Sequence, residues 1–398
     1  MKLSFAIHVD LRNGRGSEKV LLNLLRFRPD WINVTILETD YMESQRISDD
    51  ILSQVTKESN IIKIHRKVIG KNQNKILNII INNIIIRSYI LDKKRISENE
   101  IFDAIEENDV AFLFSNFFAI YFDKSKMPVI GSNHSIDPTL FFSENIFKRI
   151  FYRTYLKIYF KNINGYQVFP KNKQILKNLE SSFGMKYNMV LPNGVDTSIF
   201  KPDITLKNDK LKVFYVAYLS KAKGLDILLP LIKKLKNNKG IEFHIAGAGP
   251  WEERVKKNKN IIYHGVVGDN ELASLYRESD IFIYPSRDDY FGLVVLEALS
   301  SGLYVLCGNY LKGNFDDFEG KYLEYIEMNV DAFYNRLMEI LENIEYFHHD
   351  KAQEYNAVKQ KCDWEVISQN FYKAIEQIQM DFIIDQQKKK TTQNKTEN

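Results

Sequence analysis

Two carboxylates in residues 285–302, PSRDDYFGLVVLEALSSG, stand where they could bind a ligand. An apolar run ends at Pro285, a loop carries Asp289, and a predicted apolar helix carrying Glu297 follows Gly292. The N-terminus of a helix has unpaired N–H groups and positive dipole character, so it attracts anions. Gly292 lets a ligand approach the backbone closely, and carboxylates accept hydrogen bonds from hydroxyl groups. These residue types together suit a nucleotide-diphosphate sugar.

The same segment also has a purely structural interpretation. Strand–loop–helix units with two acids occur in many α/β proteins, and an acid near the start of a helix favours the helix dipole. Spacing alone leaves both interpretations open.

The elements that would position these residues alternate along the chain. Apolar runs typical of strands are separated by amphipathic patterns typical of helices, which indicates parallel α/β sheets. We predict strands over residues 2–8, 33–37, 110–115, 129–133, 166–169, 212–218, 242–246, 261–265, 281–284 and 304–307. Each half is therefore expected to form a Rossmann-like domain. Asn193–Gly194, a strong turn signal, is expected near the boundary.

Length and composition fit two ordinary domains. The chain has 398 residues, 44% of them hydrophobic, which is enough for two cores. A net charge of +4 does not indicate a nucleic-acid-binding protein. Cys307 and Cys362 provide neither a disulfide framework nor a metal cluster, and they fit a reducing cytoplasm.

Signals for export, membrane insertion or metal binding are not expected in this chain. Residues 1–10 read as a first strand rather than a signal peptide. The apolar residues 76–91 are too short to span a bilayer, which needs about 20 apolar residues. There is no D-x-D signature, so we expect metal-independent chemistry and no cofactor. The polar residues 386–398 are expected to be disordered.

Residues 285–302 resemble the Glu–seven residues–Glu signature of family-four glycosyltransferases, with Asp289 in place of the first Glu and Tyr290 in place of a frequent Gly. Further phrases resemble the same family in the same order: PNGVDTSIFKP, VAYLSKAKGLDILL, IAGAGPWEE and HGVVGDNELASLYRESDIFIYPS. The resemblance implies the GT-B fold, in which two facing Rossmann-like domains enclose the active site in the interdomain cleft.

The resemblance also implies a domain plan. Residues 1–192 would form the acceptor-side domain and residues 193–363 the nucleotide-sugar-binding domain. Residues 364–385 resemble the terminal helix that crosses back to the N-terminal domain, and residues 386–398 would follow as the disordered tail.

A donor site on several loops is implied by the same resemblance. Its residues would be Gly16, Lys223, Val266, Phe291, Gly292, Leu293, Val294 and Glu297. Glu297 would hold the ribose hydroxyls, Asp289 would face the donor sugar, and the backbone of Val266 would contact the base. Lys223 would supply a cation for the diphosphate, although a solvated surface lysine is the ordinary alternative.

Tyr218 stands where the family has an arginine, and a tyrosine carries no charge at neutral pH. We expect phosphate support from Tyr218 itself and from nearby arginines, Arg15 or Arg287, with Lys221 as another source. Arg15 lies in a Gly-rich loop that resembles the family's GG-x-E loop.

The expected catalytic residues are His134 and Asp289. His134 falls where the family places a histidine that faces the donor sugar, but a lone histidine is more often a structural hydrogen-bonding residue.

Residues 145–179 combine basic and aromatic side chains and contain no Asp or Glu. One interpretation is a helix with a buried aromatic face and a solvated basic face. The other is docking on an anionic membrane surface. No nucleic-acid recognition motif accompanies these charges.

The sequence therefore predicts a retaining glycosyltransferase that moves a sugar from a nucleotide-diphosphate sugar to a hydroxyl of a glycan or lipid-linked glycan. The expected setting is polysaccharide or glycoconjugate synthesis, in the cytoplasm or at the inner face of the membrane. The alternative is a non-catalytic GT-B subunit that binds or scaffolds an active transferase. A nucleotide-dependent epimerase or phosphorylase has less support.

Overall fold

The computed structural model describes residues 1–7, 11, 16–39, 48–57, 59–64, 105, 107–134, 146–147, 150, 160–205, 209–343 and 350–396. Arg15, residues 76–91 and, within 145–179, residues 145, 148–149 and 151–159 lie outside these ranges. The chain divides into two compact units. Unit 1 comprises Met1–Leu191 and Ser368–Asn398, and unit 2 comprises Pro192–Ile367.

Unit 1 is built on a parallel sheet with the order β3-β2-β1-β4-β5-β6-β7. The strands are β1 Lys2–Ala6, β2 Asn33–Thr39, β3 Ser59–Ile64, β4 Val110–Leu113, β5 Val129–Ser132, β6 Gly165–Val168 and β7 Met189–Val190. The helices described are α1 Gly16–Arg26, α2 Asp49–Val55 and α3 Leu176–Phe183. The central strands β4, β5 and β6 are buried along their whole length, as expected for parallel strands covered on both faces.

Unit 2 has a second parallel sheet, with the order β10-β9-β8-β11-β12-β13. Its strands are β8 Leu211–Val216, β9 Ile241–Ala246, β10 Ile261–Gly265, β11 Ile281–Tyr284, β12 Tyr304–Gly308 and β13 Leu323–Ile326. The helices described are α4 Leu225–Lys234, α5 Glu252–Lys256, α6 Asp269–Arg277, α7 Leu293–Ser300, α8 Val330–Glu342 and α9 Lys351–Cys362. Both sheets follow the doubly wound order, in which the strand sequence reverses between the first and fourth strands.

All ten predicted strands are present, with ends within two residues of the prediction. Three further strands, β3, β7 and β13, were not predicted. Each lies at an edge of its sheet and pairs on one side only. Edge strands need less apolar surface than strands buried on both faces, so their sequence signal is weaker.

Asn193–Gly194 does not form the expected turn. Gly194 instead allows two segments of the chain to pack closely together. A Cβ atom at Gly194 would lie 2.7 Å from Cδ2 of the Trp364 indole. Val195 N donates to the carbonyl of Cys362, and Trp364 N donates to the carbonyl of Val195, so the two segments run side by side. The glycine is needed here for close packing against Trp364 rather than for a special backbone angle.

The last helix, α10 Trp364–Thr396, begins in unit 2 and packs on unit 1 from Ser368 onward. Phe371 is fully buried, with its ring centroid 5.9 Å from that of Phe5 and 5.0 Å from that of Phe112. The Tyr372 hydroxyl donates to the carbonyl of Leu24 across 2.8 Å. Aromatic and aliphatic side chains at helical spacing thus attach α10 to this core.

The tail expected to be disordered from residue 386 is instead helical to Thr396. Its side chains are mostly exposed, so packing does not hold it. Gln and Lys have good helix propensity, and extending an existing helix avoids the cost of nucleation. The polar composition of residues 386–398 correctly indicated that they are exposed to solvent, but a polar composition does not exclude a helix.

Candidate functional site

The candidate site in unit 2 lies where β8 and β11 end. These two strands are neighbours, with Val213 opposite Ile281 and Phe214 opposite Phe282, and β9 lies on the other side of β8. The loop after β8 leads to α4, and the loop after β11 leads to α7. In doubly wound sheets, ligands bind in the crevice at this reversal point, beyond the carboxyl ends of the strands.

The two loops at this point are joined by their backbones. Arg287 N donates to the carbonyl of Ala222 across 2.9 Å. Gly224 has a φ of +87°, and a Cβ atom there would overlap the carbonyl of Pro285. Only glycine combines this backbone angle with such a close approach. The loops therefore form one fixed surface.

Lys223 and Asp289, which were predicted from separate motifs, meet on this surface. Lys223 Nζ lies 3.0 Å from Asp289 Oδ2, and the ammonium also donates to the carbonyl of Asp288. Both side chains are half-buried. A cation and an acid are thus held next to each other at the carboxyl ends of β8 and β11, where an anionic sugar ligand would be expected.

Two buried tyrosines hydrogen-bond to the two residues of this pair, and neither tyrosine was predicted from the sequence. The Tyr284 hydroxyl donates to Asp289 Oδ2 across 2.6 Å, and the Tyr215 hydroxyl donates to the carbonyl of Lys223 across 2.9 Å. Burial raises the pKa of both phenols, and the Asp289 charge raises the pKa of Tyr284 further. Both tyrosines are therefore neutral donors. The available signal was that Tyr284 is the last residue of its strand.

Arg287 is already engaged by an acid in the structure. Its guanidinium lies 2.7 Å from Asp226 Oδ1, in the first turn of α4. Tyr218, at the position of the family's arginine, is 61% exposed. Support for a phosphate group from Arg287 would therefore require its guanidinium to be shared with Asp226.

Helix α7 begins next to this pair. Gly292 precedes it with a φ of +91°, and Leu293 and Val294 are its first two residues. N–H groups in a first helical turn have no acceptors within the helix, so a helix start of this kind can donate to an anion. The ring of Phe291 is buried and packs 5.2 Å from the ring of Phe315, so this side chain does not face a ligand.

Asn314 fixes the entrance to this helix and was not predicted. Its Nδ2 donates to the carbonyls of Tyr290 and Phe291, both across 3.1 Å. The loop that carries Asp289 is therefore fixed at two places: the Tyr284 hydroxyl binds the Asp289 side chain, and Asn314 binds the backbone of the two residues after Tyr284's partner, Tyr290 and Phe291.

Glu297 lies one helical turn beyond the start of α7 and is only 7% exposed. The Tyr276 hydroxyl lies 3.3 Å from Glu297 Oε2 and 3.1 Å from the carbonyl of Val294. Burial, and then the Glu297 charge, raises the pKa of Tyr276 well above its usual value, so this tyrosine donates the hydrogen bond. Glu297 is thus a positioned acceptor rather than a mobile surface acid.

Val266 follows Gly265 at the carboxyl end of β10, two strands away from β8. Its side chain is 66% exposed, and Gly265 has a φ of +72°. The structure thus places Val266, like Lys223 and Asp289, beyond the carboxyl ends of the strands in this sheet.

Two predicted residues of unit 1 are among the described residues: His134, which shortly follows β5, and Gly16. The His134 ring packs between the rings of Phe114 and Phe169, with centroid distances of 4.9 and 5.1 Å. Its Nδ1 lies 3.2 Å from Ser132 Oγ. Gly16 is the first residue of α1, and a Cβ atom there would meet nothing within 4 Å. Among the described residues, therefore, no neighbouring atom would prevent a side chain at this position.

The described part of residues 145–179 contains both exposed and buried aromatic side chains. Phe147 is 81% exposed, whereas Phe160 is buried and packs against Tyr166 and Phe183. In the ranges that the structure describes, no helix is long and apolar enough to cross a membrane. Those ranges also contain no group of three or more His, Cys, Asp or Glu side chains that could hold a metal ion.

A match to a known protein family falls within the second unit. Residues 196–360 match the family described as glycosyl transferases group 1. The chain is 30% identical over 148 residues to an uncharacterized 41.2 kDa protein in the cps region of Klebsiella pneumoniae, with 34% of this chain and 41% of that protein covered. It is 34% identical over 128 residues to the sulfoquinovosyl transferase SQD2 of Arabidopsis thaliana, with 28% and 24% covered.

A longer match is to the alpha-monoglucosyldiacylglycerol synthase of Streptococcus pneumoniae, 25% identical over 247 residues. It covers 51% of this chain and 56% of that protein. The chain therefore spans less than two thirds of the length of each of these three relatives.

Solved structures match nearly the whole chain. Sucrose-phosphate synthase from Thermosynechococcus elongatus has a TM-score of 0.71 at 13% identity, covering 95% of this chain and 98% of that chain. Anabaena HepE in complex with UDP-glucose has a TM-score of 0.62 at 14% identity, covering 95% and 100%. The chain therefore has the GT-B fold, and its residues 196–360 match the glycosyl transferases group 1 family.

Proposed function

We propose that the protein is a glycosyltransferase that takes its sugar from a nucleotide-diphosphate sugar. The observation that carries this proposal is the pairing of Lys223 with Asp289 beside the N-terminus of α7. It supplies a cation and a set of N–H donors for a diphosphate, next to an acid for the sugar hydroxyls. The family match of residues 196–360 and a neighbour of the same fold that binds UDP-glucose support this assignment.

In this proposal each group has a defined task during transfer. Glu297, held by Tyr276, accepts hydrogen bonds from the ribose hydroxyls, and the backbone of Val266 contacts the base. Lys223 and the N–H groups of Leu293 and Val294 stabilise the negative charge that develops on the leaving nucleoside diphosphate. Transfer would need no metal and no cofactor beyond the donor, because these groups neutralise the charge.

We assign the acceptor to unit 1. His134 would contact the sugar or the leaving group, and Gly16 and Arg15 would lie in the loop beside the diphosphate. The proposed acceptor is a hydroxyl of a glycan or lipid-linked glycan, with retention of the anomeric configuration. The name of one relative, a monoglucosyldiacylglycerol synthase, supports a lipid-linked acceptor. Docking through residues 145–179 at the inner face of an anionic membrane belongs to the same proposal.

A panel of nucleotide sugars tests the proposal. UDP-, GDP- and dTDP-linked sugars are each added to the protein, and both thermal stabilisation and hydrolysis of the donor are measured. One donor should raise the unfolding temperature, as ligands that bind only the folded state do, and it should be hydrolysed slowly. Stabilisation without hydrolysis or transfer to any acceptor would favour a non-catalytic GT-B subunit instead. No stabilisation by any nucleotide sugar would contradict both functions.

A further inference from the structure

We infer that Tyr284 is a positioning residue that keeps Asp289 in place when the donor sugar is bound; this inference rests on the proposed function. Asp289 Oδ2 accepts two hydrogen bonds, from the Tyr284 hydroxyl across 2.6 Å and from Lys223 Nζ across 3.0 Å. The two donors differ in kind. One is a neutral hydroxyl on a strand, and the other is an ammonium on a flexible side chain.

The Tyr284 hydroxyl has a fixed position. Tyr284 is the last residue of β11 and is fully buried, and its ring stacks on Phe282 with a centroid distance of 5.7 Å and an interplanar angle of 18°. A tyrosine has only two side-chain torsions, so this packing determines where its hydroxyl lies. The phenol stays protonated at neutral pH because burial raises its pKa. It is therefore a permanent donor towards Asp289.

Lys223 cannot be a permanent donor in the same way. Its ammonium is shared between the carbonyl of Asp288 and Asp289 Oδ2. A bound diphosphate would attract the ammonium more strongly than a single carboxylate does, because it presents more charged oxygens. The hold of Lys223 on Asp289 would then weaken, and Tyr284 would keep the carboxylate directed at the sugar. Tyr284 should accordingly matter for the nucleotide sugar and not for the nucleoside diphosphate alone.

The substitution Tyr284→Phe tests this difference, because it removes the hydroxyl and keeps the ring. Binding is measured by calorimetry with two pairs of probes, UDP with UDP-glucose and GDP with GDP-mannose. For the pair that binds the wild-type protein, Kd for the nucleotide sugar should rise about 10- to 100-fold, the effect of losing a hydrogen bond to a charged group. Kd for the nucleoside diphosphate should change by less than about threefold. Turnover should fall with the sugar affinity.

Tyr304→Phe is the matched control. Tyr304 also lies in the sheet of unit 2, and its hydroxyl also donates to a carboxylate, that of Glu324 on β13. Its loss should affect stability while leaving the affinity for both members of each pair unchanged. Asp289→Asn combined with Tyr284→Phe should bind the nucleotide sugar no more weakly than Asp289→Asn alone, because Tyr284 acts through Asp289.

A second variant keeps the inference testable if Tyr284→Phe does not fold. Asp289→Asn changes a half-buried loop side chain and replaces the carboxylate that accepts from the fixed hydroxyl by a neutral amide, which weakens this hydrogen bond. We expect the same selective loss of sugar affinity. Unchanged sugar affinity in either variant, or an equal loss for the sugar and the diphosphate, would overturn the positioning role alone. A wild-type protein that binds neither nucleotide sugar would overturn the proposed function as well.

Discussion

Lys223 and Asp289 follow different strands of one sheet, and Lys223 Nζ lies 3.0 Å from Asp289 Oδ2. Because β8 and β11 are neighbours at the reversal of strand order, the loops after them start side by side, and here they are in contact through Arg287 N and the carbonyl of Ala222. Two residues that are far apart in the sequence therefore form one charged pair at the mouth of the crevice. In the proposed function, the cation of this pair would serve the diphosphate and the acid would serve the sugar.

Lys223→Ala should weaken binding of both the nucleotide sugar and the nucleoside diphosphate. The loss of one charge-assisted phosphate contact costs about 1.5–3 kcal/mol, so both Kd values should rise about 10- to 100-fold. Stability should change by less than about 1 kcal/mol, since the ion pair is partly exposed. Calorimetry and chemical denaturation check the two expectations.

Lys233→Ala is the control for this change. Lys233 lies in the last turn of α4 and is exposed, and removing it leaves the same net charge as Lys223→Ala. It should leave both affinities unchanged. An equal loss of affinity in the two variants would mean that only overall charge attracts the ligand.

Glu297→Gln should weaken binding of the nucleoside portion of the donor. The amide keeps the size of the side chain, but it loses the charge that strengthens hydrogen bonds from ribose hydroxyls. We expect Kd for the nucleoside diphosphate to rise about tenfold, and Glu297→Ala should abolish binding. Isothermal titration calorimetry measures both effects. Glu271→Gln, an exposed acid on the neighbouring helix α6, is the control. Retained affinity in Glu297→Ala would show that the ribose is bound elsewhere.

The sequence predicted the parts of this site that depend on residue type and order. Asp289, Glu297 and the glycine before α7 were visible because they are polar or small residues at a strand-to-helix junction. Their partners were not visible. Tyr284, Tyr276 and Asn314 resemble ordinary core or loop residues, and only the packing of the strands directs their polar atoms to the site.

Three of the four edge strands, β3, β7 and β13, and the helical tail could not be predicted for a related reason. A strand paired on one side, such as β3 or β13, tolerates polar residues that interrupt the apolar pattern. Helix formation after Asp385 depends on continuation from a packed helix, which composition does not report. Pairwise contacts between distant segments, such as Gly194 against Trp364, leave no local signal at all.

Gly224→Ala should destabilise unit 2 more than Gly265→Ala does. Both glycines have a positive φ, +87° and +72°, so both substitutions introduce backbone strain of about 1–2 kcal/mol. A Cβ atom at Gly265 would meet nothing within 4 Å, whereas one at Gly224 would overlap the carbonyl of Pro285. The Gly224 variant must therefore also separate the two loops that carry Lys223 and Asp289. Chemical denaturation measures the difference, which should exceed about 1 kcal/mol.

Loss of donor binding should accompany the Gly224 substitution. The Gly265 variant serves as its matched control for backbone strain without overlap. Equal stabilities for the two variants would show that the contact with Pro285 relaxes at no cost, and the two loops would then not form one fixed surface.

The stability of unit 2 should fall as the pH decreases below about 6.5, the ordinary pKa of histidine. His244 Nδ1 and His264 Nε2 lie 3.1 Å apart on neighbouring strands, and their rings stack. Burial lowers the pKa of both imidazoles, and for His244 the neighbouring His264 and Lys212 lower it further. Glu242 acts in the opposite direction on His244.

The sign of the effect follows from proton uptake. As the pH falls below the ordinary histidine pKa, the unfolded chain binds protons that the folded pair does not, so the free energy of unfolding decreases. The contribution is fully present above that pH and is lost as the pH falls through the lowered pKa values of the folded state. Glu271 and Glu278 raise the pKa of His264 in part, which places the loss at a higher pH than burial alone would give.

Denaturant unfolding between about pH 5.5 and 7.5 measures this dependence. The double variant His244→Gln/His264→Gln keeps polar side chains at both positions but binds no proton, so its stability should vary less with pH over this range. His134→Gln is the matched control, because it removes a histidine from unit 1 while leaving the pair intact. If the double variant keeps the wild-type pH dependence, then other titrating groups, and not His244 and His264, produce it.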